Sequence, residues 1–376
     1  MKAHRPKRKR RRRLQRVDAG NKEFVASPIP PFDEHTAKRL HEQAVMPPFD
    51  EHAAKRLNET AEKLTKIFLP YAAQSRERMA REKGRFVQYT SARNALSIIQ
   101  TKRLWMRHPA CMSDYAEVWH GLQAIKRCYA DKPSRRQAFK AALNDCHKDA
   151  DEEIRTYFDA WGYETHLQTY VTCLSEHDDK EDRHGRLSMW RAFGGDSTAR
   201  VALVIKLDLT PIKNAALNVI LNPVAYFSDQ ELDNELDAVI SNVQAERDFL
   251  CTLPRPLFTM AVWQMLTART VCLKHEGFRE EREWRITYSP RPFGSPFIES
   301  ATEVISGIPQ VIYKIPLENI SSAGIELGFA DVFDRLIIGP TQFPFVMVEA
   351  FAAALDAAGV KDAPKRVFVS EIPVRT

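Results

Sequence analysis

Hydrophobic and polar residues alternate between Glu281 and Tyr288, which is the pattern of a β-strand whose two faces differ in chemistry. The face that we expect to meet the core carries Arg282, Trp284, Ile286 and Tyr288. The opposite face carries Glu281, Glu283, Arg285 and Thr287. Residues two apart on a strand are separated by roughly 7 Å, so two carboxylates and a guanidinium influence one another there. An exposed sheet face with a Glu–Arg pair and a functional charge cluster both fit this pattern.

The folded body is expected to begin near Arg85. Strands are predicted at Phe86–Thr90, Leu104–Met106, Thr169–Glu176, Ala199–Leu207, Gln310–Ile315, Arg335–Ile338 and Arg366–Ile372. Helices are predicted at Ser91–Arg103, Asp114–Trp161, Leu187–Phe193, Ser228–His275 and Phe345–Ala358, the fourth interrupted at Pro254 and Pro256. Strands and helices are interspersed without a regular βαβ repeat, so the predicted fold class is α+β.

A repeat precedes the body. PPFDEHTAKRL at Pro30–Leu40 recurs as PPFDEHAAKRL at Pro47–Leu57, and apolar residues continue at helical spacing to Phe68. Two copies are too few for a solenoid. We interpret the repeat as a tandem duplication in a linker or docking helix, with a protein partner expected at residues 30–68. The predicted organisation is a basic tail (1–20), a helical linker (21–84) and an α+β domain (85–376).

Positive charge is concentrated at the N terminus. Residues 1–16 contain ten of the 55 Lys and Arg residues and no acid, which leaves 45 basic against 49 acidic residues in the remainder. A block of like charge cannot bury a core, so residues 1–20 are expected to be disordered. Such a tail predicts contact with nucleic acid or another polyanion, and a solubilising or targeting tail is the alternative. The expected contact residues are Arg8, Lys9, Arg10, Arg11, Arg12 and Arg13.

Several kinds of site are not indicated by the sequence. The six cysteines include no Cys-x-x-Cys pair, which argues against a zinc site and fits a reduced cytoplasm. H-E-x-x-H, P-loop and G-x-G-x-x-G motifs do not occur. No apolar run approaches the ~20 residues of a membrane span, and the start lacks the apolar segment of a secretory signal. We therefore expect a cytoplasmic protein that uses no metal and does not associate with a membrane.

Four ordered motifs resemble a known family. They are FVQYTSARNALSIIQTKRLWM, CLSEHDDKEDRHGRLSMWRAFGG, KHEGFREEREWRI and IIGP. The third contains Lys274, Glu281, Glu283, Trp284 and Arg285. Together they resemble the bacterial domain-of-unknown-function family twenty-nine seventy-one from about Phe86 to the C terminus. The segment MSDYAEV departs from the family, where an Asn-Asp-Pro turn is usual.

The order of the first three motifs also resembles, more weakly, the ADP-ribosyltransferase-like fold. That resemblance implies a split mixed β-sheet core with large helical insertions, and NAD as the substrate in a cleft. It implies that Glu283 is the catalytic carboxylate and that Glu281 orients or activates the acceptor. The residues it implies for NAD contact are Tyr89, Thr90, Ser175, Trp190 and Arg285. Breaking the nicotinamide–ribose bond develops positive charge, which a preplaced carboxylate stabilises.

Each of these residues also has a structural interpretation. Trp190 on a short amphipathic helix fits a core residue. Ser175 at a strand end fits a turn cap. Arg285 fits either a pair with Glu281 or a phosphate contact. The leading hypothesis is an ADP-ribosyltransferase effector, a toxin or antiphage protein that modifies protein or nucleic acid. The alternative is a non-catalytic module that binds nucleic acid or a partner.

Overall fold

The structure is a computed structural model that describes residues 51–111, 115–156, 169–193, 199–210, 214–290, 294–305 and 307–373. Contacts along the chain divide it into two units, and all described residues lie in the unit Val45–Thr376. The basic residues Arg8–Arg13 and the first repeat copy, Pro30–Leu40, therefore lie outside the described residues. The predicted domain divisions after residues 20 and 84 stay predictions.

Helices occupy most of the described chain between the strands. They are α1 (Glu51–Phe68), α2 (Pro70–Arg81), α3 (Ala92–Thr101), α4 (Tyr115–Ile125), α5 (Pro133–Cys146), α6 (150–156), α7 (Leu187–Ala192), α8 (Asp229–Ala245), α9 (Arg247–Thr252), α10 (Arg255–Val271), α11 (Phe329–Val332) and α12 (Pro344–Ala357). The strands are β1 (Arg85–Ser91), β2 (Arg103–Met106), β3 (Tyr170–His177), β4 (Arg200–Ile205), β5 (Val219–Pro223), β6 (Glu283–Tyr288), β7 (Glu299–Ile305), β8 (Ile308–Pro316), β9 (Asn319–Ile320), β10 (Ile325–Glu326), β11 (Phe333–Ile338) and β12 (Val367–Val369).

The main sheet has seven strands in the order β12-β11-β4-β1-β3-β6-β5. Neighbouring strands are antiparallel except β11 and β12, which are parallel, so the sheet is mixed. Four of the strands predicted from sequence, those that contain Phe86, Tyr170, Val201 and Glu283, belong to this sheet. A second sheet has the order β2-β8-β7, and β9 pairs with β10. The predicted α+β class is confirmed.

The two faces of the main sheet bury different residues. One face packs against α3, α12 and the three-stranded sheet, and it contributes Phe86, Leu174, Leu203, Trp284 and Leu336 to the largest hydrophobic cluster. On the other face Val87, Ala202 and Ile337 pack against Met189 and Trp190 of α7. Further along that face, Val171 packs against Val271 and Cys272 at the end of α10. The chemistry of the candidate site lies on this second face.

A helical cluster forms a separate hydrophobic core. It joins α1, α5, α8, α9 and α10, and the rings of Phe68 and Phe258 lie 6.1 Å apart within it. Leu64, Ile67 and Phe68 of α1 are buried there. The end of the segment interpreted from sequence as a linker thus contributes to a core. Helices predicted at Asp114–Trp161 and Ser228–His275 are observed in the described parts of both ranges, with breaks at Pro133 and Pro254.

The segment before β6 differs from the sequence expectation. A strand was expected from Glu281, but Glu276–Glu281 forms a 3₁₀ helix and the strand begins at Glu283. Arg282 joins the two with a left-handed backbone, φ 44°. That turn separates Glu281 from the regular alternation of the strand, so its position relative to Glu283 is set by the turn. Within the described residues no helix is both long and apolar enough to cross a bilayer.

Candidate functional site

Ser175 and Glu283 lie directly opposite each other on the adjacent strands β3 and β6. Val87 of β1 lies opposite Ser175 on the other side of β3. Side chains two residues apart share a face, so Tyr89 and Arg285 lie on the same face as this pair. Thr90 lies on the opposite face, where its Oγ1 accepts a hydrogen bond from Asn94 at 3.2 Å. The sheet therefore brings Tyr89, Ser175, Glu283 and Arg285 to one face and leaves Thr90 on the other.

The Glu283 carboxylate is enclosed and fully paired. Only 5% of the residue is exposed. Its Oε1 accepts a hydrogen bond from Nε of Arg285 at 2.8 Å, and its Oε2 accepts from Nζ of Lys274 at 3.1 Å. Burial alone would raise the pKa of Glu283, but the charges of Arg285 and Lys274 outweigh it and lower the pKa to about 2. The group is a fixed negative charge at neutral pH.

Lys274 links the two glutamates of the sequence pattern. It follows α10, is 1% exposed and donates to Oε2 of Glu281 at 2.6 Å as well as to Glu283. The ring of Phe278 lies 5.1 Å from its ammonium group. Two carboxylates and two cations thus form one cluster, and we call Lys274 and the 3₁₀ helix that contacts it through Glu281 the cover of Glu283.

Tyr226 holds the start of β6. Its hydroxyl accepts a hydrogen bond from the backbone N–H of Glu283 at 2.9 Å. Burial raises the pKa of Tyr226, and the negative charge of Glu283 raises it further, so the hydroxyl stays protonated. The carbonyl of Tyr226 accepts a hydrogen bond from Arg279 of the 3₁₀ helix at 2.8 Å. One residue therefore positions both the strand that carries Glu283 and the segment that covers it.

Arg186 connects three parts of the site. Its backbone N–H donates to the hydroxyl of Tyr89 at 2.8 Å. Its guanidinium donates to the carbonyls of Glu280 at 2.7 Å and Glu281 at 3.2 Å, and also to the carboxylate of Glu181 at 2.8 Å. These bonds fix the 3₁₀ helix against the loop that follows β3. Arg186 determines where the cover over Glu283 lies.

Tyr89 and Trp190 form a packed aromatic pair beside this cluster. Their ring centroids are 4.8 Å apart and edge to face. Trp190 is fully buried, and its Nε1 donates to the carbonyl of His184 at 2.7 Å. Gly185, with φ 65°, approaches the Trp190 ring so closely that an added Cβ would lie 2.7 Å from it. Trp190 therefore has the core packing role that the sequence left open, and its assignment to NAD contact stays a prediction.

Cys173 is a thiol beside the cluster. It lies opposite Arg285 on β3, two residues before Ser175. Burial raises the pKa of Cys173, and the charge of Glu283 raises it further, so this thiol is protonated at neutral pH. The arrangement can supply a permanent negative charge and a neighbouring hydroxyl. It does not supply a nucleophilic thiolate.

Three residues of the site were not among the sequence-predicted ones. Lys274 stands in the third family motif and was signalled there, although with no assigned role. Arg186 stands in the second motif, before a short helix. Nothing in that position indicates that it forms hydrogen bonds with five residues, which are Tyr89, Glu176, Glu181, Glu280 and Glu281. Tyr226 follows β5 in a stretch that matches no motif. Its contact with Glu283 depends on strand order, which local pattern does not determine.

Part of the chain matches a family model. Residues 189–286 match the model of the family described as "Protein of unknown function (DUF2971)". No curated protein and no solved structure matches the chain. The matched span runs from Met189 of α7 to Ile286 of β6 and so includes Lys274, Glu281, Glu283 and Arg285. The resemblance to domain-of-unknown-function family twenty-nine seventy-one is therefore confirmed, over residues 189–286.

Proposed function

We propose that this chain is an NAD-dependent ADP-ribosyltransferase-like effector with Glu283 as its catalytic carboxylate. The proposal rests on one observation. Ser175 and Glu283 lie opposite each other on neighbouring strands of a mixed sheet, with Tyr89 and Arg285 on the same face. With Arg285 and Lys274 in contact, the pKa of Glu283 lies at about 2 and the group keeps its negative charge at physiological pH. Fixed charge of this kind stabilises a cationic transition state most where water is excluded.

The proposed reaction breaks the C–N bond between nicotinamide and ribose. Nicotinamide leaves with the bonding electron pair, and positive charge develops on the ribose. The lone pair of an acceptor atom then forms the new bond to the ribose carbon, and the proton of the acceptor passes to Glu281. Water as the acceptor gives hydrolysis instead of transfer. Glu283 acts on the developing charge, and Ser175 positions the ribose.

Substrate binding requires a change at the cover. Lys274 neutralises Glu283 through a bond to Oε2, while Arg285 contacts mainly Oε1. We propose that Lys274 and the 3₁₀ helix Glu276–Glu281 shift when NAD binds, so that Glu281 loses its bond to Lys274 and can take the proton of the acceptor. The bonds that must break are those from Arg186 to the carbonyls of Glu280 and Glu281, and that from Arg279 to Tyr226. The pyrophosphate of NAD supplies anionic oxygens that replace these carbonyl oxygens as partners of Arg186 and Arg279.

The test is nicotinamide release from NAD by the full-length protein, with water alone and with total cellular protein or nucleic acid as acceptors. We expect Glu283→Gln to lower turnover on the order of 10²-fold or more. Glu281→Gln is expected to reduce transfer to an acceptor more than hydrolysis. The control is Glu349→Gln on the exposed surface of α12. No NAD consumption by wild type under any of these conditions refutes the proposed activity, whereas full turnover in Glu283→Gln refutes the residue assignment.

The second candidate is a non-catalytic module. It is favoured by the burial of Glu283, since both carboxylate oxygens already have cationic partners. In such a module the cluster would only stabilise the fold. Glu283→Gln would then lower the stability of the protein and leave binding of its partner unchanged in every folded sample.

The remaining functional expectations are proposals of the same kind. We propose that the basic tail binds nucleic acid or another polyanion and that the protein acts in the cytoplasm as a toxin or in defence against phage. A protein partner is proposed at residues 30–68. Within that range Leu64 and Phe68 are buried against other helices, whereas Lys55 and Leu57 are exposed. The exposed early turns of α1 are the described part that a partner reaches.

A further inference from the structure

Two cysteines lie beside each other where the end of α5 contacts α9. Cys146 is the last residue of α5, and Cys251 lies near the end of α9. Sγ of Cys251 lies 3.8 Å from the carbonyl oxygen of Asp145, whose carbonyl carbon is bonded to the backbone nitrogen of Cys146. The geometry of the peptide group then places Sγ of Cys251 within about 7 Å of Cα of Cys146. The two residues are neighbours across the helix contact.

A second contact holds the two helices together at the same level. Nε2 of His147 lies 3.2 Å from the carbonyl oxygen of Leu250. His147 follows Cys146 in the chain, and Leu250 precedes Cys251. The pair therefore stands between two contacts that join the same two backbones. Disulfides form between residues whose Cα atoms lie about 4.4–6.8 Å apart, and backbones held this closely let side-chain rotation join two cysteines.

The two thiols differ in exposure. Cys251 is exposed, whereas Cys146 is buried in the helical cluster, with 9% of the residue exposed. Burial, together with the neighbouring thiol of Cys251, raises the pKa of Cys146 to about 11. An oxidant in solution therefore reaches Cys251 first, and Cys146 is the covered thiol that stands next to it.

The other cysteines are less accessible than Cys251. All six lie in the described residues, where Cys128 and Cys272 are buried and Cys111 and Cys173 are partly buried. Burial raises the pKa of Cys128 to about 11 and that of Cys272 to about 12, and it raises the pKa of Cys173 as well. Thiols that are covered and protonated react slowly with oxidants. Exposure thus selects Cys251 as the first thiol to be oxidised.

We propose that Cys146 and Cys251 form a reversible disulfide when hydrogen peroxide oxidises the protein. The thiolate of Cys251 attacks one peroxide oxygen and the O–O bond breaks, which leaves a sulfenic acid on Cys251. The departing hydroxide takes up the proton of that thiol and becomes water. Sγ of Cys146 then attacks Sγ of Cys251, the S–O bond breaks, and the second water leaves with the proton of Cys146. Two electrons pass from the two thiols to one peroxide, which is reduced to two waters.

The disulfide closes a long loop through the main sheet. The segment from Cys146 to Cys251 contains β3, β4 and β5, three of the seven strands of that sheet. A covalent link between the ends of so long a loop restricts the unfolded chain more than the folded one. We expect the oxidised protein to unfold at a higher urea concentration than the reduced protein.

The first test is mass spectrometry of the full-length protein, reduced and then treated under native conditions with an equal concentration of hydrogen peroxide. We expect a mass loss of about 2 Da and a cross-linked peptide pair that contains Cys146 and Cys251. Titration is expected to show the loss of two of the six free thiols, which dithiothreitol restores. Recovery of both cysteines as free thiols overturns the proposal. Sulfinic acid at Cys251 with Cys146 still reduced also overturns it.

Substitutions test the order of the two steps. In Cys146→Ser the sulfenic acid has no partner, so we expect a dimedone adduct at Cys251 after peroxide treatment. In Cys251→Ser we expect Cys146 to stay reduced, and because this variant changes an exposed side chain, its folding does not depend on the core. Cys111→Ser is the control and is expected to form the disulfide like wild type. Oxidation of Cys146 in Cys251→Ser at the wild-type rate overturns the role of Cys251.

Discussion

Nζ of Lys274 lies 3.1 Å from Oε2 of Glu283, and both groups are almost fully buried. Removing one partner of a buried ion pair leaves the other charge desolvated. We predict that Lys274→Met lowers the free energy of unfolding by about 3–5 kcal/mol. The free energy of unfolding is measured by urea denaturation, with circular dichroism as the signal. The control is Lys365→Met, whose exposed pair with Asp362 should contribute little. Equal effects of the two substitutions would contradict the buried pairing.

The low pKa of Glu283 leads us to expect that the protein loses stability in acid. Its folded pKa lies at about 2, below the ordinary value of 4.5. The unfolded chain therefore binds more protons between these values, so stability is complete above pH 4.5 and falls as the pH drops towards 2. The contribution is on the order of 3 kcal/mol.

Glu283→Gln isolates this contribution, because the other acidic groups remain. We expect the difference in unfolding free energy between wild type and variant to shrink as the pH is lowered from 6 to 3, a range that spans roughly the titration of an unfolded glutamate. Chemical denaturation at both pH values measures the difference. A difference that is independent of pH would show that the carboxylate is not selectively ionised in the folded state.

Substitution of Trp284 is expected to lower the stability of the protein through lost core packing, unlike substitution of the charged residues of β6. Its ring packs 5.3 Å from that of Phe86, and its Nε1 donates to Glu176 at 2.9 Å. Trp284→Ala is expected to lower stability by about 3–5 kcal/mol because it leaves a cavity. Phe345→Ala on the exposed start of α12 is the control and should change stability little. Thermal melts of both variants measure the effect, and similar losses would exclude a core role for Trp284.

The basic tail predicts salt-dependent binding. Deleting residues 1–16 removes ten Lys and Arg residues. Each phosphate that a protein neutralises contributes about 0.9 to the slope of log affinity against log salt. We expect the deletion to weaken nucleic-acid binding and to flatten that slope, while the melting temperature stays the same. Titration of labelled DNA from low to moderate salt measures both quantities. Identical slopes with and without the tail would remove it from the binding surface.

The strand alternation at Glu283–Tyr288 could be predicted from sequence, and it places Glu283, Arg285 and Thr287 on one face, whereas Glu281 lies outside the strand. The same alternation explains why Thr90 does not lie on the same face of the sheet as Tyr89, because adjacent residues of a strand point to opposite faces. The left-handed turn at Arg282 could not be predicted in this way. It carries no Gly or Asn, the residues that usually indicate such a backbone.

The burial of Lys274 is also beyond local sequence reasoning. A lysine between a helix and a polar stretch is usually exposed. Its enclosure depends on Glu281, Glu283 and Phe278 meeting it from segments placed by strand order and by Arg186. Tertiary contacts of this type determine which charged residues of a motif are covered. A motif that can be recognised in the sequence therefore does not by itself give the geometry of its side chains.

The order of the main sheet has a consequence for synthesis of the chain. Among the strands that the structure describes, β1 is made first, and it lies at the centre of the sheet. Its neighbours β3 and β4 follow much later, with Val87 opposite Ser175 and Tyr89 opposite Ala202. At ribosomal speeds of roughly 5–20 residues per second, β1 waits on the order of 10 s for its first partner. During that interval Phe86 and Val87, both fully buried in the finished protein, are exposed on the nascent chain. Folding in the cell is therefore expected to depend on chaperones that bind β1 until β3 leaves the ribosome.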